Sequence, residues 1–279
     1  MTAPLAPKVL QACGRALLLG PRTLIMGILN VTPDSFSDGG RSLAVEDALG
    51  NARRLASEGA DILDIGGEST RPGHVPVPSD EEWARVAPVL EALKAEAGIP
   101  VSIDTSKADV ARRAIAAGAV IVNDVWGFTR DPDMAHVVAD SEAAAVLMHN
   151  RTEVDESLDI VDELLGFFEK ALELATRAGV RQDRIVLDPG IGFGKTFPQN
   201  LAAIARLPEL RVLGYPLLLG TSRKSLIGKV IDSLPAERVP GTIASNVIGI
   251  MAGVEIIRVH DVAAHVQAAR VAEAIRDAR

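Results

Sequence analysis

Acidic and amide side chains follow several short apolar segments of this chain. Asp104, Asn123 and Asp188 end the segments SID, VN and VLD, each of which is rich in β-branched or aliphatic residues. Carboxylate and amide oxygens accept hydrogen bonds, and a carboxylate pairs well with two adjacent N–H groups. If these side chains converge in the fold, they form an acceptor-rich surface suited to a nitrogen heterocycle.

A second set of side chains is cationic. Lys224 lies in TSRKS, and Arg258 and His260 lie two positions apart in RVHD, a spacing that puts both on one side of a strand. Such a set suits an anion such as phosphate or pyrophosphate. The amide oxygen of Asn30 would help to hold magnesium (Mg2+) beside phosphate oxygens and water. Together the two sets suggest transfer from a phosphorylated heterocycle.

Taken singly, these residues also have simpler explanations. Asp64 and Asp104 can be turn or helix-cap residues, and Asn123–Asp124 can be a strand-ending turn. Arg223–Lys224 can be a solvated surface pair. The histidines lack metal-ligand spacing, so a zinc site is not expected.

The segment DPGIGFGKT (188–196) has the glycine content of a phosphate-binding loop but not its pattern. Pro189 stands where a P-loop requires its first glycine, and the three glycines lack the dinucleotide-binding spacing. We interpret the segment as a flexible loop that lets the backbone approach a flat ligand, with Phe193 available to cover it.

The elements that position these residues alternate along the chain. Eight apolar segments predict buried parallel strands, at 23–31, 61–67, 100–106, 120–125, 144–149, 184–190, 216–222 and 255–261. Helical patterns separate them, for example at 42–60, 80–98 and 159–179. Eight strand–helix units predict a (β/α)8 TIM barrel, whose active site lies at the carboxyl ends of the strands. We expect a single domain over 1–279, with residues 1–22 as an N-terminal extension.

The composition limits the classes of partner. The 279 residues are 48% hydrophobic, so a large core is expected, and the net charge of −8 without a basic block argues against nucleic acid and anionic membranes. Cys13 is the only cysteine, which excludes an intrachain disulfide. No segment reaches the apolar length of a membrane span. We expect a soluble cytoplasmic protein.

Seven motifs together resemble the dihydropteroate synthase family. They are NVTPDSFSDGG (30–40), DIGGESTRPG (64–73), SIDTSK (102–107), ND (123–124), LDPGIGFGK (187–195), TSRKS (221–225) and RVHD (258–261). The resemblance extends from about residue 23 to residue 262. It implies a TIM-barrel transferase of folate biosynthesis, which condenses 6-hydroxymethyl-7,8-dihydropterin pyrophosphate with p-aminobenzoate and releases pyrophosphate. It also implies Mg2+ as a cofactor, a homodimer and a sulfonamide target.

The resemblance implies a role for each site residue. The pterin set is Asp104, Asn123, Asp188 and Lys224, with Met148 and Phe193 lining the pocket. Pyrophosphate and magnesium fall to Asn30, Arg258 and His260. The p-aminobenzoate side is Phe36, Thr70, Arg71, Pro72 and Ser222. Asp38, in the first loop, would stabilise a cationic pterin, and the catalytic set is Asp38, Lys224, Arg258 and His260.

One segment departs from the family, and two other classes share part of the pattern. After strand five the chain reads LMHNRTEVDE, whereas many relatives carry a Met-His-Met-Gln-type sequence. A pterin-binding methyltransferase should lack the TRPG loop and the SRK anion site. A catalytically silent paralogue should have lost Asp38, Arg71, Lys224 or His260, and all four are present.

Overall fold

A computed structural model describes residues 7–31, 40–69, 75–96 and 98–278. Eight parallel strands form one sheet: β3 (Leu24–Asn30), β4 (Ile62–Gly66), β5 (Val101–Asp104), β6 (Ile121–Asp124), β7 (Ala144–Met148), β8 (Ile185–Asp188), β9 (Leu218–Leu219) and β10 (Ile256–Val259). Their order in the sheet is β8-β7-β6-β5-β4-β3-β10-β9. The predicted strands therefore all exist, with shorter bounds.

The sheet curls until its two edges meet. Leu187 of β8 bridges Leu217, just before β9, in parallel register, and the N–H of Leu187 donates to the carbonyl of Pro216 over 2.9 Å. The predicted (β/α)8 barrel is confirmed. The predicted seventh strand at 216–222 was too long, because Thr221 leaves the ladder and hydrogen-bonds to the side chain of Asn246 over 3.0 Å.

Nine helices are described around this barrel. They are α1 (Gly40–Ser57), α2 (Ser79–Glu96), α3 (Ala108–Ala116), α4 (Met134–Ser141), α5 (Ile160–Ala178), α6 (Phe197–Ala205), α7 (Ser225–Ile231), α8 (Val239–Met251) and α9 (Val262–Asp277). Local signals explain their ends. The Asp159 carboxylate accepts from the N–H of Val161 over 2.8 Å at the start of α5, and Gly179 ends it with φ of 89°. No described helix has the length and apolarity to cross a membrane.

The N-terminal extension forms a hairpin that the sequence analysis did not predict. β1 (Lys8–Ala12) and β2 (Arg15–Leu19) pair antiparallel around Cys13 and Gly14, whose φ values of 48° and 76° suit a two-residue hairpin turn. One face of the hairpin packs against buried residues at the amino ends of the barrel strands, namely Leu24, Met26, Ile62, Val120, Val186 and Ile256. The hairpin therefore closes the end of the barrel opposite the site.

Two neighbouring leucines of β2 test this role. Leu19 is 0% exposed and Leu18 is 54% exposed. We expect Leu19→Ala to lower the free energy of unfolding by about 2–5 kcal/mol, because it leaves a cavity between the hairpin and the barrel strands. Leu18→Ala should cost less than about 0.5 kcal/mol, as surface changes do. Urea unfolding of both variants measures this, and equal losses would contradict the packing role of the hairpin.

Candidate functional site

Four side chains from four barrel strands meet in one buried cluster at the carboxyl mouth of the barrel. Arg258 of β10 donates from Nε to Oδ2 of Asp64 over 2.5 Å and from Nη2 to Oδ2 of Asp104 over 2.6 Å. Asn123 donates from Nδ2 to the same Asp64 oxygen over 3.1 Å. The parallel register sets these distances, because Asp104 stands beside Gly66 on one side and beside Asn123 on the other. We call these four residues the floor.

The floor keeps acceptors that the described protein does not satisfy. Oδ1 of Asp64, Oδ1 of Asp104 and Oδ1 of Asn123 are buried, and none accepts a hydrogen bond from any described residue. A buried acceptor without a donor costs about 1–3 kcal/mol. Burial also raises the pKa of Asp104 to about 7, although the adjacent Arg258 opposes that rise. The floor is thus built to receive N–H donors from a ligand.

Beside the floor, a wall of the site joins the ends of β8 and β9. The Asp188 carboxylate accepts from the N–H of Gly190 over 2.8 Å, and Lys224 donates to the carbonyl of Ile191. The Lys224 ammonium also lies 4.4 Å from the centre of the Phe193 ring. Burial lowers the pKa of Lys224 to about 8, against the attraction of Asp188. This wall offers one cation and one flat apolar face.

The two parts of the site adjoin at Gly220. A Cβ at that position would lie 3.8 Å from Oδ2 of Asp188 and 3.9 Å from Cβ of Arg258. Gly66 separates Asn30 and Asp104 in the same way, at 3.8 Å from Oδ1 of Asn30 and 3.6 Å from Cβ of Asp104. Because Gly220 and Gly66 have no side chain, the polar side chains on either side of each glycine lie close together without a clash.

Ser222 and His260 stand together beyond the ends of β9 and β10. Nδ1 of His260 lies 2.9 Å from Oγ of Ser222, and the backbone N–H of His260 donates to the same hydroxyl over 3.1 Å. Behind them Arg223, with φ of 56°, makes a two-pronged ion pair with Asp261 at 2.9 and 2.5 Å. The ion pair holds the two loops in register, so Ser222, Lys224 and His260 keep fixed relative positions.

The structure corrects the simpler explanations of two carboxylates. Asp64 is not a turn or cap residue, because it lies inside β4 and is 0% exposed. Asp104 ends β5, and the N-cap of the following helix is Lys107. Lys224 is half-buried against the glycine-rich segment, so Arg223–Lys224 is not a solvated pair.

The structure places some predicted site residues in the cluster and leaves others outside it. Asp104, Asn123 and Arg258 share the floor, so Arg258 contacts two carboxylates rather than standing apart in a cationic set with Lys224 and His260. Met148 is buried at the end of β7, and Asn30 is exposed at the end of β3. The remaining predicted residues lie outside the described ranges: Phe36, Asp38, Thr70, Arg71 and Pro72.

Sequence reasoning missed two residues of this region. Asp64 had a usable signal, since a carboxylate in the middle of a continuous apolar strand requires a buried partner. Lys195 had none, because its partners come from a different loop. Its ammonium lies 2.6 Å from Nδ1 of His149 and donates to the carbonyl of Gly190 over 2.9 Å.

Comparison with protein families identifies one match over most of the chain. Residues 26–260 match the family described as pterin binding enzyme. The dihydropteroate synthase of Clostridium beijerinckii is 49% identical over 258 residues, which cover 92% of this chain and 96% of that protein. The matched segment contains seven strands of the barrel in full and all of β3 except its first two residues.

Solved structures agree with the sequence match. The Clostridium difficile dihydropteroate synthase crystallised with pteroic acid has a TM-score of 0.90 and 53% identity, covering 92% of this chain and 98% of that one. The Xanthomonas albilineans dihydropteroate synthase with 4-aminobenzoic acid has a TM-score of 0.92 and 45% identity, covering 97% and 99%. The Yersinia pestis dihydropteroate synthase in a sulfonamide drug complex has a TM-score of 0.89 and 42% identity, covering 97% and 100%.

The raised pKa of Asp104 predicts a pH dependence of stability. A carboxyl that holds its proton more tightly when folded contributes stability that is complete below about pH 4 and lost as the pH rises through about 7. The difference in unfolding free energy between wild type and Asp104→Asn should therefore fall over this window, by at most about 1.4 kcal/mol per pH unit. Urea unfolding from pH 4.5 to 7.5 measures it.

A matched control for that series is Glu173→Gln, which changes an exposed carboxylate paired with Arg177 on α5. Its difference from wild type provides the baseline against which the Asp104→Asn series is compared. A flat difference for Asp104→Asn would mean that Arg258 keeps Asp104 ionised throughout the range.

Proposed function

The chain belongs to the dihydropteroate synthase family of pterin-binding enzymes, and from this premise we propose which of its residues hold each substrate. The protein is a transferase of folate biosynthesis. It condenses 6-hydroxymethyl-7,8-dihydropterin pyrophosphate with p-aminobenzoate to give 7,8-dihydropteroate and pyrophosphate. The observation that supports the assignment is that buried acceptor oxygens of the floor accept no hydrogen bond from any described residue.

The pterin binds against the floor and the adjacent wall of Asp188, Phe193 and Lys224. Its ring presents adjacent N–H and NH2 donors, which match the unsatisfied oxygens of Asp104 and Asn123 and the carboxylate of Asp188. Lys224 donates to an acceptor on the opposite edge of the ring. Met148 and Phe193 line the faces of the pterin, and Phe193 is already held beside the Lys224 ammonium. Ligand donors thereby replace the missing protein donors.

The pyrophosphate lies toward His260, Lys224 and Arg258. His260 and Ser222 form a fixed polar pair at the rim, and Arg258 presents its guanidinium from the floor. The global charge of −8 does not attract an anion, so this local set must supply the attraction.

Asn30 would hold Mg2+ in this site. Asn30 is exposed at the mouth, with its side-chain oxygen near Gly66 and Asp104, and the described residues contain no group of three His, Cys, Asp or Glu side chains that would bind a metal alone. Magnesium commonly takes one or two protein oxygens together with substrate phosphates and water, so this sparse donor set fits it. When bound, the ion would neutralise charge on the pyrophosphate.

The reaction proceeds by departure of pyrophosphate before the amine attacks. The C–O bond to pyrophosphate breaks and leaves a cationic pterin methylene. The nitrogen of p-aminobenzoate then forms the C–N bond and releases its proton. Lys224, Arg258 and His260 stabilise the leaving anion, whereas Asp38 stabilises the cation. Phe36, Thr70, Arg71 and Pro72, with Ser222, complete the p-aminobenzoate side.

Pyrophosphate release with the pterin pyrophosphate, p-aminobenzoate and magnesium tests the activity directly. Release above background with both substrates present supports the assignment, and no release above background under these conditions would overturn it.

Asp188→Asn replaces one acceptor by a donor facing the pterin N–H groups. We expect about 10- to 100-fold weaker pterin binding by calorimetry, with the fold retained, since a hydrogen bond to a charged group contributes about 1.5–3 kcal/mol. Unchanged affinity would remove Asp188 from the pterin set.

We also expect ordered binding. If the p-aminobenzoate pocket forms only after loops close over the bound pterin and pyrophosphate, then p-aminobenzoate should bind poorly to the free enzyme. Asp38→Ala should lower turnover more than pterin affinity, because the charge it stabilises develops only in the reaction. Calorimetry and steady-state rates measure the two effects. Tight p-aminobenzoate binding without pterin and pyrophosphate would contradict the order, and normal turnover of Asp38→Ala would contradict the role of Asp38.

A homodimer through α8 and α9 is the proposed assembly. Both helices expose large apolar side chains, with Ile248 54%, Val271 61% and Ile275 56% exposed, next to a shallow groove between the helices. Self-association would bury this face. We expect light scattering at micromolar concentration to give twice the chain mass of 29.4 kDa.

Val271→Glu should give the monomer mass, because it places a charge on the apolar face. Val212→Glu is the matched control, since Val212 is 78% exposed outside both helices. A monomeric wild type would remove the dimer from the proposal.

A further inference from the structure

Lys195 is a buried cation that the proposed mechanism does not use. It is 8% exposed and belongs to the segment 190–195, which we call the glycine loop. Its ammonium contacts three acceptors: Nδ1 of His149 at 2.6 Å, the carbonyl of Gly190 at 2.9 Å and the carbonyl of Phe193 at 3.1 Å. An ammonium has three N–H donors, so each acceptor receives one. Burial lowers the pKa of Lys195 and the nearby Lys224 and Arg151 lower it further, whereas the carboxylates of Asp188 and Glu163 favour its charged form.

His149 is oriented to accept from Lys195. Its ring is 0% exposed, stacks edge-on against Phe167 with the ring centres 4.8 Å apart, and has Nε2 at 3.4 Å from Oε1 of Glu163. A carboxylate accepts hydrogen bonds, so Nε2 carries the proton and Nδ1 presents a lone pair. Burial, together with the nearby Lys195 and Arg151, lowers the pKa of His149 to about 2, which keeps the ring neutral.

Arg151 makes a second connection between the same two loops. Its Nε and Nη2 donate to the carbonyl of Gly194 over 3.1 and 2.7 Å, and Nε lies 4.0 Å from the same Glu163 oxygen. Arg151 belongs to the segment that follows β7. Glu163 thus stands behind both His149 and Arg151, which contact the glycine loop at the adjacent positions Lys195 and Gly194.

The glycine loop is packed tightly between these residues and the site. A Cβ at Gly190 would lie 1.9 Å from the carbonyl oxygen of His149, and one at Gly194 would lie 2.7 Å from Cβ of Arg151. The other side of the loop supplies the carbonyl of Ile191 and the ring of Phe193 to Lys224. A shift of the loop would therefore move both contacts of Lys224.

We propose that Lys195 is a positioning residue for the pterin, which with His149 fixes the glycine loop so that Phe193 and Lys224 meet the ring, and that Arg151 is a second positioning residue that holds the loop at Gly194. The inference rests on the proposed pterin roles of Asp188, Phe193 and Lys224. Lys195 acts through these residues and does not itself contact the reacting atoms.

The decisive measurement separates the Michaelis constants of the two substrates. Lys195→Met keeps the aliphatic stem and removes all three donors. We expect the KM for the pterin pyrophosphate to rise about 10- to 100-fold, since a small misplacement at such a site has effects of that size. The KM for p-aminobenzoate at saturating pterin should stay within about threefold of wild type, because its proposed residues lie on other loops. Lys170→Met, at an exposed lysine of α5, is the matched control and should change neither constant.

Two further variants distinguish positioning from stability alone. His149→Phe keeps a ring against Phe167 but removes the acceptor, so its pterin KM should rise, and the double variant with Lys195→Met should show much less than the product of the two effects. Arg151→Met should raise the same constant by a smaller factor, and Arg151→Lys should restore part of the loss.

Each result has one meaning. A folded Lys195→Met with unchanged pterin KM, whether or not its unfolding midpoint falls, overturns the inference. If Lys195→Met does not fold, an unchanged pterin KM for Arg151→Met overturns it. If the wild type releases no pyrophosphate above background, the proposed function itself is contradicted.

Discussion

The contact of Arg258 with Asp64 and Asp104 is the interaction on which the rest of the site depends. Two carboxylates buried a few ångströms apart repel each other strongly at low dielectric, and neither has free access to water. One guanidinium between them supplies a charge-assisted hydrogen bond to each at 2.5 and 2.6 Å. The three residues come from β10, β4 and β5, so the same contact fixes the relative positions of three barrel strands at the mouth.

The floor illustrates the conflict between stability and binding. A core built for stability alone would satisfy or remove the second oxygens of Asp64, Asp104 and Asn123, because unsatisfied buried acceptors destabilise the folded state. The barrel tolerates them, since the packed residues below the mouth and the N-terminal hairpin stabilise the opposite end. A pterin that donates to these oxygens would recover the lost hydrogen bonds, which makes the binding selective for an N–H-rich ring.

The other half of the site depends on a loop rather than on strand ends. Glycine at 190, 192 and 194 has φ of 63°, 87° and 54°, a backbone that residues with a Cβ rarely adopt. Such a loop would be mobile in isolation. Here Lys195 and Arg151 tie it to the neighbouring loop, and Asn200 of α6 accepts from the N–H of Gly192 over 2.5 Å. A permissive backbone is thus held in one conformation by buried polar contacts.

The sequence by itself determined the barrel and much of the floor. Alternating apolar strands and helices specify eight parallel units, and parallel strands bring their carboxyl ends to one mouth, so Asp104, Asn123 and Asp188 were predictable as a group, whereas Arg258 was assigned to a separate cationic set. The roles of Asp38 and Arg71 stay predictions from motifs. Only the tertiary structure paired Arg258 with Asp64, 194 positions apart, and Lys195 with His149, 46 positions apart. It alone placed the hairpin under the barrel. The physical reason is that periodicity and strand ends are local properties of a chain, whereas the partner of a buried charge is decided by which distant segments the closed barrel brings within hydrogen-bond distance.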